Sequence, residues 1–252
     1  MWQQKWIIGN WKMNGSLTSN QQLLQALQKP VSAASAQVYC AVAVPDVYLT
    51  STKEQVRGFP LVIGAQDVSR FGDFGAYTGE INAQMLADVG AGFALIGHSE
   101  RRQYFQEDNA ILLSKLQHCL SAHILPILCV GETLAQRESA QEKAVVGDQL
   151  AILAELSATE VVVAYEPVWA IGTGKIPTTR QIAEMQQFIY QQILSLCGKD
   201  VKIRVLYGGS VNTKNAAEIL AVPHVDGALV GGASLQADSF AAIIQAACAP
   251  AL

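Results

Sequence analysis

The sequence predicts an α/β fold closed into a single (β/α)8 barrel, and three observations carry that prediction. Short β-rich runs alternate with helix-period stretches along all 252 residues. Several of the runs are nearly continuous in apolar residues, as expected of parallel strands buried on both faces. No linker or low-complexity tract divides the eight strand–helix units, which favours a closed barrel over an open doubly wound sheet. One domain spanning 1–252 is therefore expected.

Taken in order, the strand runs are Trp6–Asn10, Val38–Val44, Leu61–Ala65, Phe93–Gly97, Ile124–Val130, Val161–Tyr165, Ile203–Tyr207 and Ala228–Val230. The first is followed by "NWKMNG" and not by G-x-G-x-x-G, which counts against a dinucleotide-binding start. Among the helices, Thr178–Cys197 is the most regular. Ile182, Met185, Ile189, Ile193 and Leu196 recur at three- and four-residue spacing. Pro177 and Thr178 suit its start and Gly198 its end. Arg102–Leu120 reads as another helix, with Leu112, Leu116, Cys119 and Leu120 forming its apolar stripe.

Half the residues are hydrophobic and only 15% are charged, so a large core can be buried and disorder is not expected. The net charge of −4 gives no support to nucleic-acid or anionic-membrane binding, so neither partner is expected. The five cysteines (Cys40, Cys119, Cys129, Cys197, Cys248) are scattered and form no C-x-x-C pair. Neither a disulfide framework nor a zinc site is suggested. There is no signal-like N-terminus and no run long enough for a membrane span. A soluble, reduced, cytoplasmic protein is expected.

In such a barrel the chemistry sits where strands end. Those positions hold Asn10, Lys12, Gln66, His98, Cys129, Glu132, Glu166, Gly208-Gly209-Ser210 and Gly231-Gly232. Lys12 could snorkel to solvent, but in a mouth with few other cations it becomes the counter-charge for an anionic substrate. His98 lies between a strand and a helix beginning near Ser99-Glu100. The helix dipole there disfavours imidazolium and leaves a neutral ring able to donate a hydrogen bond. No second histidine lies within ligand spacing, so no metal is expected, and no cofactor either. His118, His123 and His224 read as structural.

The glycine pairs of "LYGGSVN" and "LVGGASL" read either as ordinary tight turns or as an anion cradle of backbone N–H groups. Gly172 would add a donor from the segment after Glu166. That segment, "AYEPVWAIGTGK", carries a carboxylate to the end of a buried strand and follows it with an apolar, glycine-bearing loop. An active-site base beneath a lid has a use for this arrangement. Its "GTGK" is not a P-loop, since Trp169 stands where the first glycine belongs and Ile176 replaces the Ser/Thr. Cys129 reads as barrel packing without an activating cation, and Glu132 as a residue that favours a helix start.

With these residues assembled, the chain resembles the triosephosphate isomerase family. "GNWKMNG", "GHSERR", "CVGET", "AYEPVWAIGTGK", "YGGSV" and "GALVGGASL" are all similar to that family's segments, in the family's order. The resemblance implies a TIM barrel that interconverts dihydroxyacetone phosphate and D-glyceraldehyde 3-phosphate through an enediol(ate), in glycolysis and gluconeogenesis. It implies Glu166 as the base, His98 as the group polarising the carbonyl, and Lys12 as counter-charge with Asn10 beside it. Gly172, Ser210, Gly231 and Gly232 would hold the phosphate, and Glu100 would support Lys12. Pro167-Val168-Trp169 and Lys175-Ile176-Pro177 would be the hinges of a lid with Ala170–Gly174 as its tip. The long third loop, "QDVSRFGDFGAYTGEIN", would insert into a second subunit, with Thr78 reaching towards its active site, so a homodimer is implied. Two other readings compete. Another phosphosugar barrel would need a Schiff-base lysine, a metal cluster or a larger pocket. A barrel that binds phosphate without turnover would be expected to lack Glu166, His98 or Lys12.

Overall fold

A computed structural model describes residues 4–171 and 175–248. Eight parallel strands close on themselves in sequence order: β1 (Lys5–Asn10), β2 (Val38–Val44), β3 (Leu61–Ala65), β4 (Phe93–Ile96), β5 (Leu125–Val130), β6 (Glu160–Tyr165), β7 (Lys202–Tyr207) and β8 (Gly227–Val230). Pairing of β1 with β8, Trp6 opposite Gly227, shuts the ring. The helices α1 (Leu17–Ala34), α2 (Leu49–Gln55), α3 (Ala83–Asp88), α4 (Ser99–Tyr104), α5 (Asn109–Ser121), α6 (Leu134–Glu138), α7 (Glu142–Leu150), α8 (Thr179–Cys197), α9 (Ala216–Leu220) and α10 (Ala237–Ala247) lie between successive strands or follow the last.

The continuous apolar runs divide by alternation. Trp6 and Ile8 of β1 join Ala41, Ala43, Phe93, Leu95, Ile127, Val162, Ala164, Leu206 and Leu229 in one buried cluster, the filling of the barrel. Ile7, Val42, Ile63, Val163 and Val205, the neighbours in register, belong instead to the larger cluster shared with the helices. Both faces are buried, which is why these strands lack polar alternation. At the end of the barrel where the strands begin, Arg204 stacks over the Trp6 ring at 4.1 Å, and Trp6 in turn stacks on Tyr39.

Close backbone approach explains Gly227. A Cβ there would lie 1.9 Å from the Trp6 carbonyl oxygen and 2.7 Å from the Trp6 nitrogen, contacts that only separation of β1 from β8 could relieve. Gly227→Ala is expected to lower stability by roughly 2–4 kcal/mol, read as a drop in urea midpoint with a nearly unchanged slope. A midpoint equal to wild type would show that the closing pair yields without strain.

The sequence expectations for α8 match the structure closely. Thr178 caps it by accepting from Gln181 N–H, Gln181 returns a bond to the Thr178 N–H, and Gly198 ends it at φ 87°. The single helix expected over Arg102–Leu120 is corrected. The chain breaks between α4 and α5, with Gln106 in the left-handed region at φ 53°. Asp108 restarts the helix by accepting from Ile111 N–H at 2.9 Å. Glu107, buried at the break, is held by Arg101 at 2.8 Å and Lys115 at 2.6 Å. Among the described residues no helix is long and apolar enough to cross a membrane.

Candidate active site

Asn10, the last residue of β1, accepts the Lys12 N–H on its side-chain oxygen at 3.0 Å and so turns the chain at the barrel mouth. Lys12 adopts φ 52°, a left-handed conformation that an L-residue holds only when its surroundings enforce it. Gln66, just past β3, helps to do so by donating to the carbonyls of Lys12 (3.0 Å) and Ala43 (3.1 Å). The Lys12 ammonium meets the Glu100 carboxylate at 2.5 Å. The chain thus spends backbone strain to aim one cation.

His98 is the N-cap of α4. Its Nδ1 accepts the Glu100 N–H at 3.2 Å, which places the ring proton on Nε2 and describes a neutral imidazole. That Nε2 lies 3.1 Å from Glu166 Oε1. The other carboxylate oxygen, Oε2, accepts the Ser99 N–H at 3.0 Å. One helix start therefore fixes both the ring and the acid.

Glu166 follows β6 directly and is 2% exposed. Its N–H donates to Val130 O, and the adjacent Tyr165 carbonyl accepts from Gly208 N–H, each at 2.7 Å. The acid is thus clamped between the ends of β5 and β7. Gly208 leaves it room, since a Cβ there would lie 2.9 Å from Glu166 Cγ. Gly209 is required by packing as well, because its Cβ would meet the Tyr207 hydroxyl at 2.3 Å.

Gly231 and Gly232 differ from that pair. A Cβ on Gly232 would meet nothing within 4 Å, and one on Gly231 only Lys12 Cε at 3.7 Å. Their backbones face a cavity of about 370 Å³ lined by Asn10, Lys12, His98, Glu166, Gly208–Ser210 and Gly231-Gly232, among others. Lys12 is the only Lys or Arg among the described residues that line it. Ser210 also borders the cavity, and its hydroxyl donates to the Ala170 carbonyl at 2.5 Å. Gly172 lies outside the described residues. Thr78 sits at the exposed tip of the third βα loop and does not line the cavity within this chain.

The loop after Glu166 begins with a single 3-10 turn, Val168–Ala170. The expectation that Glu132 favours a helix start is revised, because Thr133 and not Glu132 caps α6. Glu132 is fully buried and accepts Trp169 Nε1–H at 2.9 Å and the Tyr165 hydroxyl at 3.1 Å, while its own carbonyl accepts the Val168 N–H at 3.0 Å. Burial pushes its carboxyl pKa up, opposed mainly by the Trp169 hydrogen bond. Glu132 thus fastens the start of the loop to the end of β5, a role that motif spacing does not encode. Cys129 packs inside the barrel as expected. Burial first, and the neighbouring Glu166 second, hold its thiol well above the usual range.

The cavity joins a buried acid, a neutral imidazole donor, one cation and an open glycine edge. That set suits proton transfer on a small anionic substrate. Comparisons with known proteins point the same way. A family model described as triosephosphate isomerase matches residues 5–247. Triosephosphate isomerase from Neisseria meningitidis serogroup A is 55% identical over 250 residues, covering 98% of this chain and 99% of that protein. The Paracidovorax citrulli enzyme is 49% identical over 251 residues, covering 98% and 100%. The crystal structure of triosephosphate isomerase from Bartonella henselae superposes with a TM-score of 0.86 at 38% identity, over 96% of this chain and 98% of that one. A closed eight-stranded barrel with this mouth, matched along nearly its whole length, places the chain in the triosephosphate isomerase family.

Proposed function

We propose that Glu166, His98, Lys12 and Asn10 carry the interconversion of dihydroxyacetone phosphate and D-glyceraldehyde 3-phosphate in the cavity at the barrel mouth. The observation that carries this reading is the contact of the neutral His98 Nε2–H with the buried Glu166 carboxylate at 3.1 Å, in a cavity shared with Lys12. Glu166 takes a proton from one substrate carbon and returns it to the adjacent one. Displacement of water as the loop closes strengthens it as a base. His98 donates to the carbonyl oxygen and moves protons between the two oxygens as the enediol(ate) forms. Lys12 balances the negative charge of substrate and intermediate, Asn10 adds a polar contact, and Glu100 supports Lys12. Gly172, Ser210, Gly231 and Gly232 offer backbone and hydroxyl donors to the phosphate. Rapid turnover of glyceraldehyde 3-phosphate in a coupled assay tests the whole; a folded protein that binds phosphosugars without turning them over would overturn it.

The whole chain, 1–252, acts as one catalytic domain in the cytoplasm, as part of glycolysis and gluconeogenesis, and works as a homodimer. Support for the dimer comes from exposed apolar side chains on the loops that follow β1 and β3 and at the end of α4. Met13 is 96% exposed and Phe74 66%, with Tyr77, Tyr104 and Phe105 also exposed. The tip of the third loop would seat in the second subunit, bringing Thr78 towards its active site. Sedimentation is expected to give twice the chain mass, and Phe74→Asp to shift the population to monomers with activity lowered at least about tenfold. A monomeric, fully active wild type would remove the dimer from this reading.

A further inference from the structure

Four charged side chains outside the mouth cavity close into a ring. Lys115, on α5, donates to Asp67 Oδ1 and to Glu107 Oε1, each at 2.6 Å. Arg101, on α4, places Nη2 2.9 Å from the other Asp67 oxygen, Oδ2, and donates from Nε to Glu107 Oε1 at 2.8 Å. Cation and carboxylate alternate around the circuit, and its formal charges cancel. Lys115 and Glu107 are buried. Burial pushes the Asp67 carboxyl pKa up, opposed first by Lys115. For stability alone such a ring is a poor device, since well-packed apolar side chains of similar volume often serve as well or better. What charge-assisted hydrogen bonds add to packing is a fixed direction.

Two corners of the ring are chain neighbours of the groups that hold Lys12. Asp67 follows Gln66, whose amide donates to the Lys12 carbonyl at 3.0 Å. Arg101 follows Glu100, whose carboxylate meets the Lys12 ammonium at 2.5 Å. One neighbour grips the Lys12 backbone and the other its side chain. Those grips come from separate segments, the start of the loop after β3 and the first turn of α4. The Arg101–Asp67 pair ties these segments to each other, and Lys115 ties Asp67 to α5. Lys12 needs a firm hold, because its φ of 52° persists only where the surroundings over-determine it.

We propose that Lys115 is a positioning residue for Lys12: through the ring it fixes the segment after β3 against α4 and α5, so that Gln66 and Glu100 hold the Lys12 ammonium in place at the cavity. The inference rests on the reading of Lys12 as the counter-charge of the substrate. Lys115 does not itself line the cavity, so its action runs entirely through these neighbours. Without its ammonium, Asp67 and Glu107 are left as two acids on the single cation Arg101, and Asp67 loses its contact with α5. A misplacement of about 1 Å at a group that contacts substrate can lower the rate by about 10²-fold.

The test is a double-mutant cycle on kcat and KM, built from wild type, Lys115→Met, Lys12→Met and the variant carrying both. Rates are taken at several protein concentrations, with inhibition by inorganic phosphate and a thermal melt for each protein. Lys115→Met is expected to lower kcat/KM by roughly five- to fiftyfold, through kcat and KM together, and to weaken phosphate inhibition. In the Lys12→Met background the same change should lower kcat/KM by less than about twofold, because the group it positions is gone. The thermal midpoint falls whether the ring positions Lys12 or only supports the fold, so the cycle carries the decision. An equal loss in both backgrounds would mean that Lys115 acts on another part of the site, and would overturn the proposal. Wild-type kinetics in a folded Lys115→Met would do the same. So would a loss that disappears as protein concentration rises, which would make the ring a support for subunit association alone. Should Lys115→Met not fold, Lys115→Met combined with Glu107→Gln leaves Arg101 balanced by Asp67 and takes its place in the cycle. Wild-type activity in Lys12→Met would instead remove the counter-charge on which the inference depends.

Discussion

Replacing Glu166 by Gln is expected to lower kcat by about 10²–10⁴-fold while KM moves by no more than a few-fold. The two side chains have nearly the same shape. An amide oxygen can still accept the Ser99 N–H, and the Gly208 backbone leaves the same space for Cγ. What the amide lacks is a basic oxygen able to take a proton from carbon. Gly231 and Gly232, proposed above to hold the phosphate, follow β8 and not β6, so ground-state binding should persist. Steady-state rates in both directions, with a thermal melt as control, measure this. A variant that keeps more than about a tenth of the wild-type kcat would fall outside the range for loss of a general base and would assign proton transfer to another group.

Much of this site was legible before any coordinates. Parallel strands buried on both faces must be apolar along their length, so their runs stand out, and the polar residues that end them are conspicuous. Asn10, Lys12, His98 and Glu166 were found in that way, and all four line one cavity. What stayed hidden depends on reach between distant elements. The break ahead of α5 arises because Glu107 turns inward to Arg101 and Lys115, and no periodicity records that. Glu132 accepts from Tyr165 and Trp169, more than 30 positions along the chain, although its local sequence suits a helix start equally well. Arg102 donates to the carbonyls of Gly97 and Cys129 and to the Asn109 side chain, and buried Arg204 donates to the Gln4 carbonyl and stacks on Trp6, contacts between distant elements that leave no mark in sequence. The glycine pairs show the limit most clearly. Gly208-Gly209 and Gly231-Gly232 read alike as sequence and both line the cavity, yet a Cβ on either of the first pair would strike protein atoms while one on the second pair would meet almost nothing.

Lys12→Met should be the other severe variant, through binding as well as rate. Lys12 is the only Lys or Arg among the described residues of the cavity wall, and the chain as a whole carries a net charge of −4. An anionic substrate therefore gains little from the long-range field and depends on this one ammonium at short range. Removing it also leaves Glu100, now unpaired, with its negative charge beside the site. Loss of one partner from a hydrogen-bonded charge pair at a binding site costs about 2–5 kcal/mol, which corresponds to roughly 30- to several-thousand-fold in kcat/KM. Because charge grows on the substrate oxygens as the enediol(ate) forms, kcat should fall along with a rise in KM. Lys12→Arg separates charge from geometry. It keeps the cation, but a planar fork cannot replace a point charge on a backbone held at φ 52°, so partial recovery of KM with little recovery of kcat is expected. Inhibition by inorganic phosphate supplies the binding half of the measurement. If phosphate binds Lys12→Met as tightly as wild type while kcat collapses, Lys12 acts on the developing oxyanion and not on the phosphate. If neither quantity changes, the electrostatic reading of the mouth fails.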